Sequence, residues 1–429
     1  MNVKSLFKSD LLKSTGIYTV TNMFGAAIPF LLLPFFTRWL TPDDYGKVAM
    51  FGLFSSFLLP ILGLSINGAI AQKYFDTSQG VYRNARLLWN GFLLVGLTCL
   101  LSVVFILFFQ NYFTKYLSLS LSVLLLAVLL TLVTMVFQSY LTMLQIRKKA
   151  LYYGLLQMVF VGINAGLSLL LVGYLNFTWL GRVYASVIAS IIVAVISFLL
   201  IIKYKLIVFE FSKKDIFQLF HFGFPLIFHS VGGLLIAMVD RFFIANMISL
   251  KEAGLYTLAY TICGVFGMLT NSFNQAFVPW LFGKLNKNNQ FENEKIIKFT
   301  YLLMIGLIII ALLGTLISPL ILKYFVGENF MDSQKFFFWL LIGFAFGGMY
   351  YLVTNYIFYT ANTRYLAYTT LFSGILNVVL CYLLIKYNGV IGAAQSFAIA
   401  NVILFLITWI VASRCHPMPW NLIRIIFKK

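Results

Sequence analysis

The sequence carries little charge for its length. Only 10% of its 429 residues are Asp, Glu, Lys or Arg, while 61% are hydrophobic, and an average soluble domain carries about 25% charged residues. The mean hydropathy is +0.94, so too few polar side chains remain to cover a water-soluble surface of this size. These values exclude a soluble enzyme, a nucleic-acid-binding domain and a disordered chain, and they indicate a polytopic membrane protein.

Cysteine, histidine and long polar segments are also scarce. The chain has four cysteines and three histidines, spaced too widely to indicate a disulfide framework or a metal site. No Gly-rich phosphate-binding loop of the ATPase type is present. The longest polar connections, about 203–215 and 284–298, leave no room for an extramembrane catalytic domain. We therefore expect neither a cofactor nor a bound metal, and no catalytic residues.

Long apolar stretches dominate what is present. Twelve stretches of at least 18 residues contain no Asp, Glu, Lys or Arg, and roughly 20 apolar residues cross the hydrocarbon as a helix. They are rich in Leu, Ile, Val and Phe without the alternation of barrel strands. The sequence therefore predicts an all-α protein with twelve transmembrane helices, over 14–37, 48–72, 87–114, 116–146, 150–181, 183–202, 216–239, 253–283, 299–322, 336–363, 365–385 and 387–413.

The basic residues between these stretches predict the orientation. Of the 31 Lys and Arg, 22 lie in segments on one side of the predicted membrane and nine on the other. Cytoplasmic loops are the more basic ones, so both termini are predicted to be cytoplasmic. The net charge of +19 then reflects topology and contact with anionic lipid headgroups, and we expect no nucleic-acid partner.

A short motif recurs at an offset of 208 residues, close to half the chain. Segments 40–46 and 248–254 both read apolar, Thr or Ser, two residues, Asp or Glu, one residue, Gly. The pattern is that of a helix start in which Thr41 or Ser249 is the cap and Asp44 or Glu252 completes a capping box. Its repetition predicts two six-helix lobes. The predicted divisions are a cytoplasmic N-terminus 1–13, an N-terminal lobe 14–202, a cytoplasmic linker 203–215, a C-terminal lobe 216–413 and a basic cytoplasmic tail 414–429.

Prolines concentrate in corresponding stretches of the two halves. Of the six prolines within the apolar stretches, Pro29, Pro34 and Pro60 lie in the first two, Pro225 and Pro279 in the seventh and eighth, and only Pro319 in another. Interrupted helices in matching positions of two halves are typical of a transport site. We therefore expect stretches 1, 2, 7 and 8 to be interrupted helices that line a cavity.

Segments 34–46 and 240–256 carry a resemblance to a known family. They resemble the O-antigen and polysaccharide flippases of the multidrug/oligosaccharidyl-lipid/polysaccharide exporter superfamily. The resemblance implies two six-helix lobes in a MATE-like V in the bacterial inner membrane. It also implies alternating access, with undecaprenyl-diphosphate-linked oligosaccharide moving from the cytoplasmic to the outer leaflet. Expected partners are this lipid-linked glycan, anionic lipids, and the polysaccharide polymerase and chain-length machinery, with proton or sodium coupling left open.

A diphosphate would require cations inside the transport path, and a glycan would require hydrogen-bonding groups. Burying an unpaired cation in hydrocarbon costs at least ~2.5–3.5 kcal/mol, so a cation on a span should face a cavity or a partner. A structural alternative exists for each candidate, as a snorkelling anchor, an ion pair or a contact between helices. The predicted substrate-binding residues are Arg38, Lys73, Asp240, Arg241, Asn22, Asn67, Asn271, Asn274 and Gln275.

Three other readings remain open. A multidrug or cation exporter of the same fold would need an acidic group in its cavity, and only Asp240 offers one, since stretches 1 to 6 contain no internal acid. A membrane acyltransferase would use His229, which lies eight residues after His221 on roughly one helix face. A non-catalytic scaffold would tolerate the loss of every polar residue in its interior.

Overall fold

A computed structural model describes residues 17, 21, 24, 25, 27–74, 80–286, 290–360, 362 and 364–421. Within these ranges the chain is helical between short turns and contains no strand. This confirms the all-α class predicted from the apolar stretches.

The chain divides into two compact units, Met1–Val231 and Gly232–Lys429. The boundary falls inside one long helix, α9, whereas the lobes predicted from the sequence meet in a linker at 203–215. Those predicted boundaries stay a prediction. The described helices that begin in the first unit are α1 Leu33–Trp39, α2 Pro42–Gly63, α3 Ile66–Tyr74, α4 Gly80–Phe108, α5 Gln110–Leu117, α6 Leu121–Ile146, α7 Ala150–Leu169 with a π turn Leu170–Tyr174, α8 Thr178–Lys203 and α9 Lys213–Met247.

The second unit contains the C-terminal part of α9 and five further helices. Its core contains residues of α10, α11, α12 and α14, whose ranges are given below. The segment after α14 packs on this core, because Met418 is buried in it and Trp420 contacts the rings of Tyr301 and Tyr356. The helices are α10 Leu250–Leu285, α11 Gln290–Phe325, α12 Phe337–Tyr359, α13 Arg364–Asn388 and α14 Ile391–Cys415, with a 3-10 segment Glu328–Phe336 before α12.

Eleven helical segments within the described residues are long and apolar enough to cross a membrane. They coincide in order with the second to twelfth predicted stretches. The first predicted stretch, 14–37, is described only in part, and its described part overlaps α1. The chain is therefore a multi-pass membrane protein, as predicted.

Both copies of the repeated motif begin a helix. Thr41 caps α2 and forms a complete capping box with Asp44. The Asp44 N–H donates to Thr41 Oγ1 at 3.2 Å, and the Thr41 N–H donates to Asp44 Oδ2 at 3.1 Å. Ser249 caps α10 by accepting the Glu252 N–H at 3.2 Å. The box predicted there is only half formed, because Lys335 Nζ donates to the Glu252 carboxylate at 2.9 Å and draws it away from the cap.

The expectation of interrupted helices holds in the first unit and is wrong for α9 and α10. α2 ends at Gly63, and Leu64 and Ser65 follow in the left-handed region before α3 begins. The Thr98 hydroxyl of α4 donates to the Leu62 carbonyl at 2.8 Å, which satisfies an acceptor at the break. By contrast, α9, α10 and α11 run without interruption through Pro225, Pro279 and Pro319.

The break in the second span is also a close-packing site. A Cβ on Gly223 of α9 would lie 1.8 Å from the Leu64 carbonyl oxygen, and one on Gly63 would lie 2.6 Å from the sulfur of Met135. Only the absence of a side chain lets α9 approach the exposed carbonyl. Glycine at position 223 is therefore required by the helix break.

The connection between α8 and α9 packs on the first unit. Arg86 Nε of α4 donates to the buried Asp215 carboxylate at 2.8 Å, and Arg86 Nη1 pairs with Glu210 at 3.3 Å. Asn90 Nδ2 donates to the Glu210 carbonyl at 2.9 Å and Asn90 Oδ1 accepts the Ser212 N–H at 2.8 Å. The predicted linker is thus held against α4 by an ion pair and by backbone hydrogen bonds.

Candidate functional site

The most buried charged residues of the second unit lie side by side on α9. Asp240 is 0% exposed and Arg241 is 5% exposed. Tyr256 of α10 donates its hydroxyl to Asp240 Oδ2, and Asn377 Nδ2 of α13 donates to Asp240 Oδ1 at 3.2 Å. Two neutral donors from two different helices therefore satisfy the carboxyl group, as a buried acid requires.

Arg241 points elsewhere, because adjacent residues on a helix are about 100° apart. Its guanidinium carbon lies 4.1 Å from the centre of the Tyr260 ring and 5.6 Å from that of Tyr256. Its Nη1 donates back to the Ala237 carbonyl. The face of an aromatic ring attracts a cation by its quadrupole, so Tyr260 stabilises the charge without neutralising it.

Close backbone contacts bring the third helix to this cluster. A Cβ on Gly374 of α13 would lie 2.5 Å from the Gly232 carbonyl oxygen of α9, so glycine allows the two backbones to approach. Asn377, almost one turn further along α13, also donates to the Leu235 carbonyl at 3.0 Å. Phe336 packs edge-on against Tyr256, and Phe397 against Tyr260, which fixes both phenol rings. The cluster is thus rigid and built from three helices.

This arrangement leaves the guanidinium of Arg241 without a carboxylate partner. Within the described residues, no carboxylate hydrogen-bonds to the Arg241 guanidinium, although Asp240 is its neighbour in sequence. Guanidinium groups hydrogen-bond phosphate through a planar fork of donors. The described residues contain no group of three or more His, Cys, Asp or Glu that could hold a metal ion. The cluster therefore combines a guanidinium group, whose chemistry suits an anion, with a buried acid.

The other predicted residues do not join this cluster. Arg38 is exposed in the last turn of α1. Asn67 accepts a hydrogen bond from Ser139 at 2.7 Å, and Asn274 accepts one from Asn355 at 2.8 Å, so both make contacts between helices. Asn271 and Gln275 are exposed on α10. The position of Asn22 and the side chains of Lys73 and His229 lie outside the described residues.

The first unit also holds a partly buried cation, Arg182, which was not among the predicted site residues. Arg182 lies inside α8, with its guanidinium 4.5 Å from the centre of the Phe36 ring and its Nη1 donating to Ser168 Oγ at 2.9 Å. Tyr256 and Tyr260 were also missed, although two tyrosines one helical turn apart were a visible signal.

Comparison with known proteins identifies the family of this chain. Residues 11–283 match the family model described as polysaccharide biosynthesis protein. The chain belongs to this family. An uncharacterized membrane protein of Haemophilus influenzae is 26% identical over 377 residues, which are 85% of this chain and 88% of that protein. A putative O-antigen transporter of Shigella flexneri is 24% identical over 210 residues, 48% of this chain and 49% of the relative.

Two solved structures share the fold. The lipid II flippase MurJ in an inward closed conformation has a TM-score of 0.75 at 15% identity, covering 92% of this chain and 87% of that one. An inward-facing multidrug resistance MATE family transporter of the MOP superfamily has a TM-score of 0.72 at 12% identity, covering 91% and 94%. The resemblance seen in segments 34–46 and 240–256 is confirmed at the level of the family and fold.

Proposed function

We propose that this membrane protein is a flippase that moves an undecaprenyl-diphosphate-linked oligosaccharide from the cytoplasmic to the outer leaflet of the bacterial inner membrane. It is a transporter, not an enzyme, and both of its termini are cytoplasmic. The oligosaccharide is an O-antigen or other surface-polysaccharide repeat unit. Family membership and the related O-antigen transporter support the substrate class, and the flippase fold supports the reaction.

The observation that carries the proposal is the state of Arg241. It is a cation inside a membrane-spanning unit, stacked on Tyr260 and free of any hydrogen bond to a carboxylate among the described residues. Holding a charge inside apolar surroundings is costly, and a diphosphate passing through the protein would repay that cost. Asp240, held by Tyr256 and Asn377, limits the net charge of the cluster when no substrate is bound.

The proposed mechanism is alternating access. The diphosphate binds Arg241, the glycan moves through the polar interior, and the two lobes reorient around it. Asn271, Gln275 and Asn67 are proposed to contact the glycan, and Arg38 and Lys73 to attract the anionic headgroup near the ends of the path. The coupling group, if a proton drives the cycle, is Asp240.

The test is leaflet accessibility in proteoliposomes. Purified protein is reconstituted with a fluorescent undecaprenyl-diphosphate oligosaccharide, and a membrane-impermeant quencher reports its side. We expect protein-dependent movement, and we expect Arg241→Gln to raise the half-saturating substrate concentration about thirtyfold, since a charge-assisted hydrogen bond contributes about 2 kcal/mol. Arg414→Gln, at an exposed position at the end of α14, is the matched control and should leave movement unchanged.

Two outcomes would overturn the proposal. Transport of labelled organic cations without lipid movement would indicate an exporter that uses Asp240. Equal substrate affinity in Arg241→Gln and wild type, at matched amounts of folded protein, would remove the diphosphate from this site.

A further inference from the structure

The second unit contains a cleft that the polar cluster does not use. It has a volume of about 310 Å³ and is lined by α10, α11 and α12. The cleft exists because α10 and α11 each pack closely on α12 but touch one another little. Its walls are apolar apart from Thr270 and Asn274. Such a cavity cannot hold an ion or a sugar at low cost, so its occupant is a hydrocarbon chain.

Two glycines border the cleft. A Cβ built on Gly306 of α11 would meet nothing within 4 Å, so this glycine faces empty space. Gly348 of α12 forms the floor, where a Cβ would come 3.0 Å from Thr270 and 3.1 Å from Leu307. The space therefore results from the divergence of α10 and α11 on α12 together with the missing side chain of Gly306.

The cleft opens to the side of the unit. Three residues that border the cleft are more than half exposed: Leu269 of α10, and Leu302 and Ile310 of α11. On helices that cross a membrane, such exposed leucines and isoleucines face lipid. A hydrocarbon chain can therefore enter from the bilayer without passing through the interior of the protein.

The cleft also lies at mid-depth. Its residues on α10 and α11 fall near the middle of two helices of 36 residues each, and Gly348 lies at the middle of α12. Phospholipid acyl chains end near the middle of the bilayer, whereas a long isoprenoid carrier chain extends past it. A cleft at this depth therefore fits a hydrocarbon chain that crosses the midplane better than a chain that ends there.

We infer that this cleft binds a segment of the isoprenoid chain of the carrier lipid, and the inference rests on the proposed function. The volume corresponds to about ten water-sized volumes, which accommodates roughly two branched five-carbon units. Phe266 and Phe273 supply aromatic walls for the chain. Asn274, hydrogen-bonded to Asn355 at 2.8 Å, forms a polar edge. Holding the tail here would keep the carrier attached to the second unit while its glycan moves.

The test uses photocrosslinking and needs no transport. Undecaprenyl monophosphate with a diazirine on its isoprenoid chain is reconstituted with the full chain, and labelled peptides are mapped by mass spectrometry. A phosphatidylethanolamine with a diazirine at the end of one acyl chain is the second probe. We expect the isoprenoid probe to label the cleft residues of α10 and α11, and the phospholipid probe to label other exposed positions.

Gly306→Leu fills the cleft and Gly96→Leu is its matched control. Gly96 of α4 is also a half-exposed helical glycine whose Cβ would meet nothing within 4 Å. Each methylene excluded from burial weakens binding about fourfold, so we expect Gly306→Leu to reduce cleft labelling at least about tenfold. Gly306→Ala, a smaller change, should reduce it in part, and Gly96→Leu should leave it unchanged.

The inference is overturned if both probes label the cleft equally, which would make it a seat for any membrane lipid. It is also overturned if Gly306→Leu, folded as judged by its elution and thermal transition, labels like wild type. Because the probe has no glycan, cleft labelling without oligosaccharide movement would refute the proposed function alone. Movement without cleft labelling would refute only this inference.

Discussion

The two units of the chain stabilise an arginine inside a helix in different ways. In the first unit, Arg182 rests on one ring, Phe36, and on the hydroxyl of Ser168. In the second, Arg241 stacks on Tyr260 and lies near Tyr256, beside an acid that two other helices hold. The comparison shows that the repeated motif 40–46 and 248–254 fixes where helices begin but not what chemistry the helices carry.

The units differ also in their second span. α2 stops at Gly63 and the chain turns through Leu64 and Ser65, whereas α10 continues for 36 residues. The uninterrupted α10 carries Tyr256 and Tyr260 near one end and the walls of the cleft at its centre. An uninterrupted helix therefore supports both sites of the second unit, while the corresponding span of the first unit is broken after Gly63.

The largest effect is expected from removing the buried acid. Asp240→Leu leaves Arg241 without a compensating charge and Tyr256 and Asn377 without an acceptor. Leaving a buried charge uncompensated in this way costs about 3–5 kcal/mol. Thermal unfolding in detergent should show this loss, while Asp332→Leu, at an exposed position in the same unit, should stay within about 0.5 kcal/mol of wild type. Equal losses in the two variants would contradict the description of the cluster.

The next effect concerns the helix break of the first unit. Gly223→Ala places a Cβ 1.8 Å from the Leu64 carbonyl oxygen and should destabilise the protein by about 1–3 kcal/mol through overpacking. Gly96→Ala, with open space around its Cβ, should be neutral or slightly stabilising. The two melting temperatures measured side by side would decide this, and a neutral Gly223→Ala would mean that α9 does not press on the break.

A smaller effect on stability is expected to differ between the two helix caps, at Thr41 and at Ser249. Asp44→Ala removes half of the capping box of α2 and should cost about 1 kcal/mol, whether or not Lys335 is present. Glu252→Ala should lose about 0.2–1 kcal/mol through its pair with Lys335, and nothing when Lys335→Met is already in place. A double-mutant cycle measures both couplings. Coupling of Asp44 to Lys335 would show that the two caps were assigned wrongly.

The smallest effect is a pH dependence at the C-terminal end. Burial lowers the pKa of His416 below its usual 6.5, and its ring stacks on Tyr356. Protonation of His416 therefore favours the state in which the segment after α14 has left the core. The segment should be fully packed above pH ~6.5, and its packing should weaken as the pH falls through the lower pKa that His416 has in the folded protein. Trp420 fluorescence should shift to the red on acidification in wild type and stay constant in His416→Phe. A shift of the same size in both would exclude His416 as the cause.

Much of the fold could be predicted because it depends on composition. Eleven of twelve apolar stretches coincide with described helices, since hydrocarbon leaves the backbone no alternative to helix over such lengths. The caps Thr41 and Ser249 were predicted from local hydrogen bonding and are present. The break after Gly63 could not be placed, because it depends on the approach of Gly223 and the donation by Thr98 across the tertiary structure.

The site could be predicted only in part. Asp240 and Arg241 stood out because charge is rare in the apolar stretches, and the partners of Asp240 lie on other helices, as the angle between adjacent residues requires. Tyr256, Tyr260 and Asn377 join them only through the packing of α9, α10 and α13. The cleft was invisible, because the space beside Gly306 arises from how α10 and α11 diverge on α12.

The most direct measurement compares Arg241 and Arg182 in one assay. Oligosaccharide movement in proteoliposomes should show a half-saturating substrate concentration about thirtyfold higher for Arg241→Gln and unchanged for Arg182→Gln at matched folded protein. Such a difference would establish that the second unit holds the anionic group of the lipid-linked substrate. The same half-saturating concentration in wild type and both variants, or movement that does not require the protein, would contradict the account.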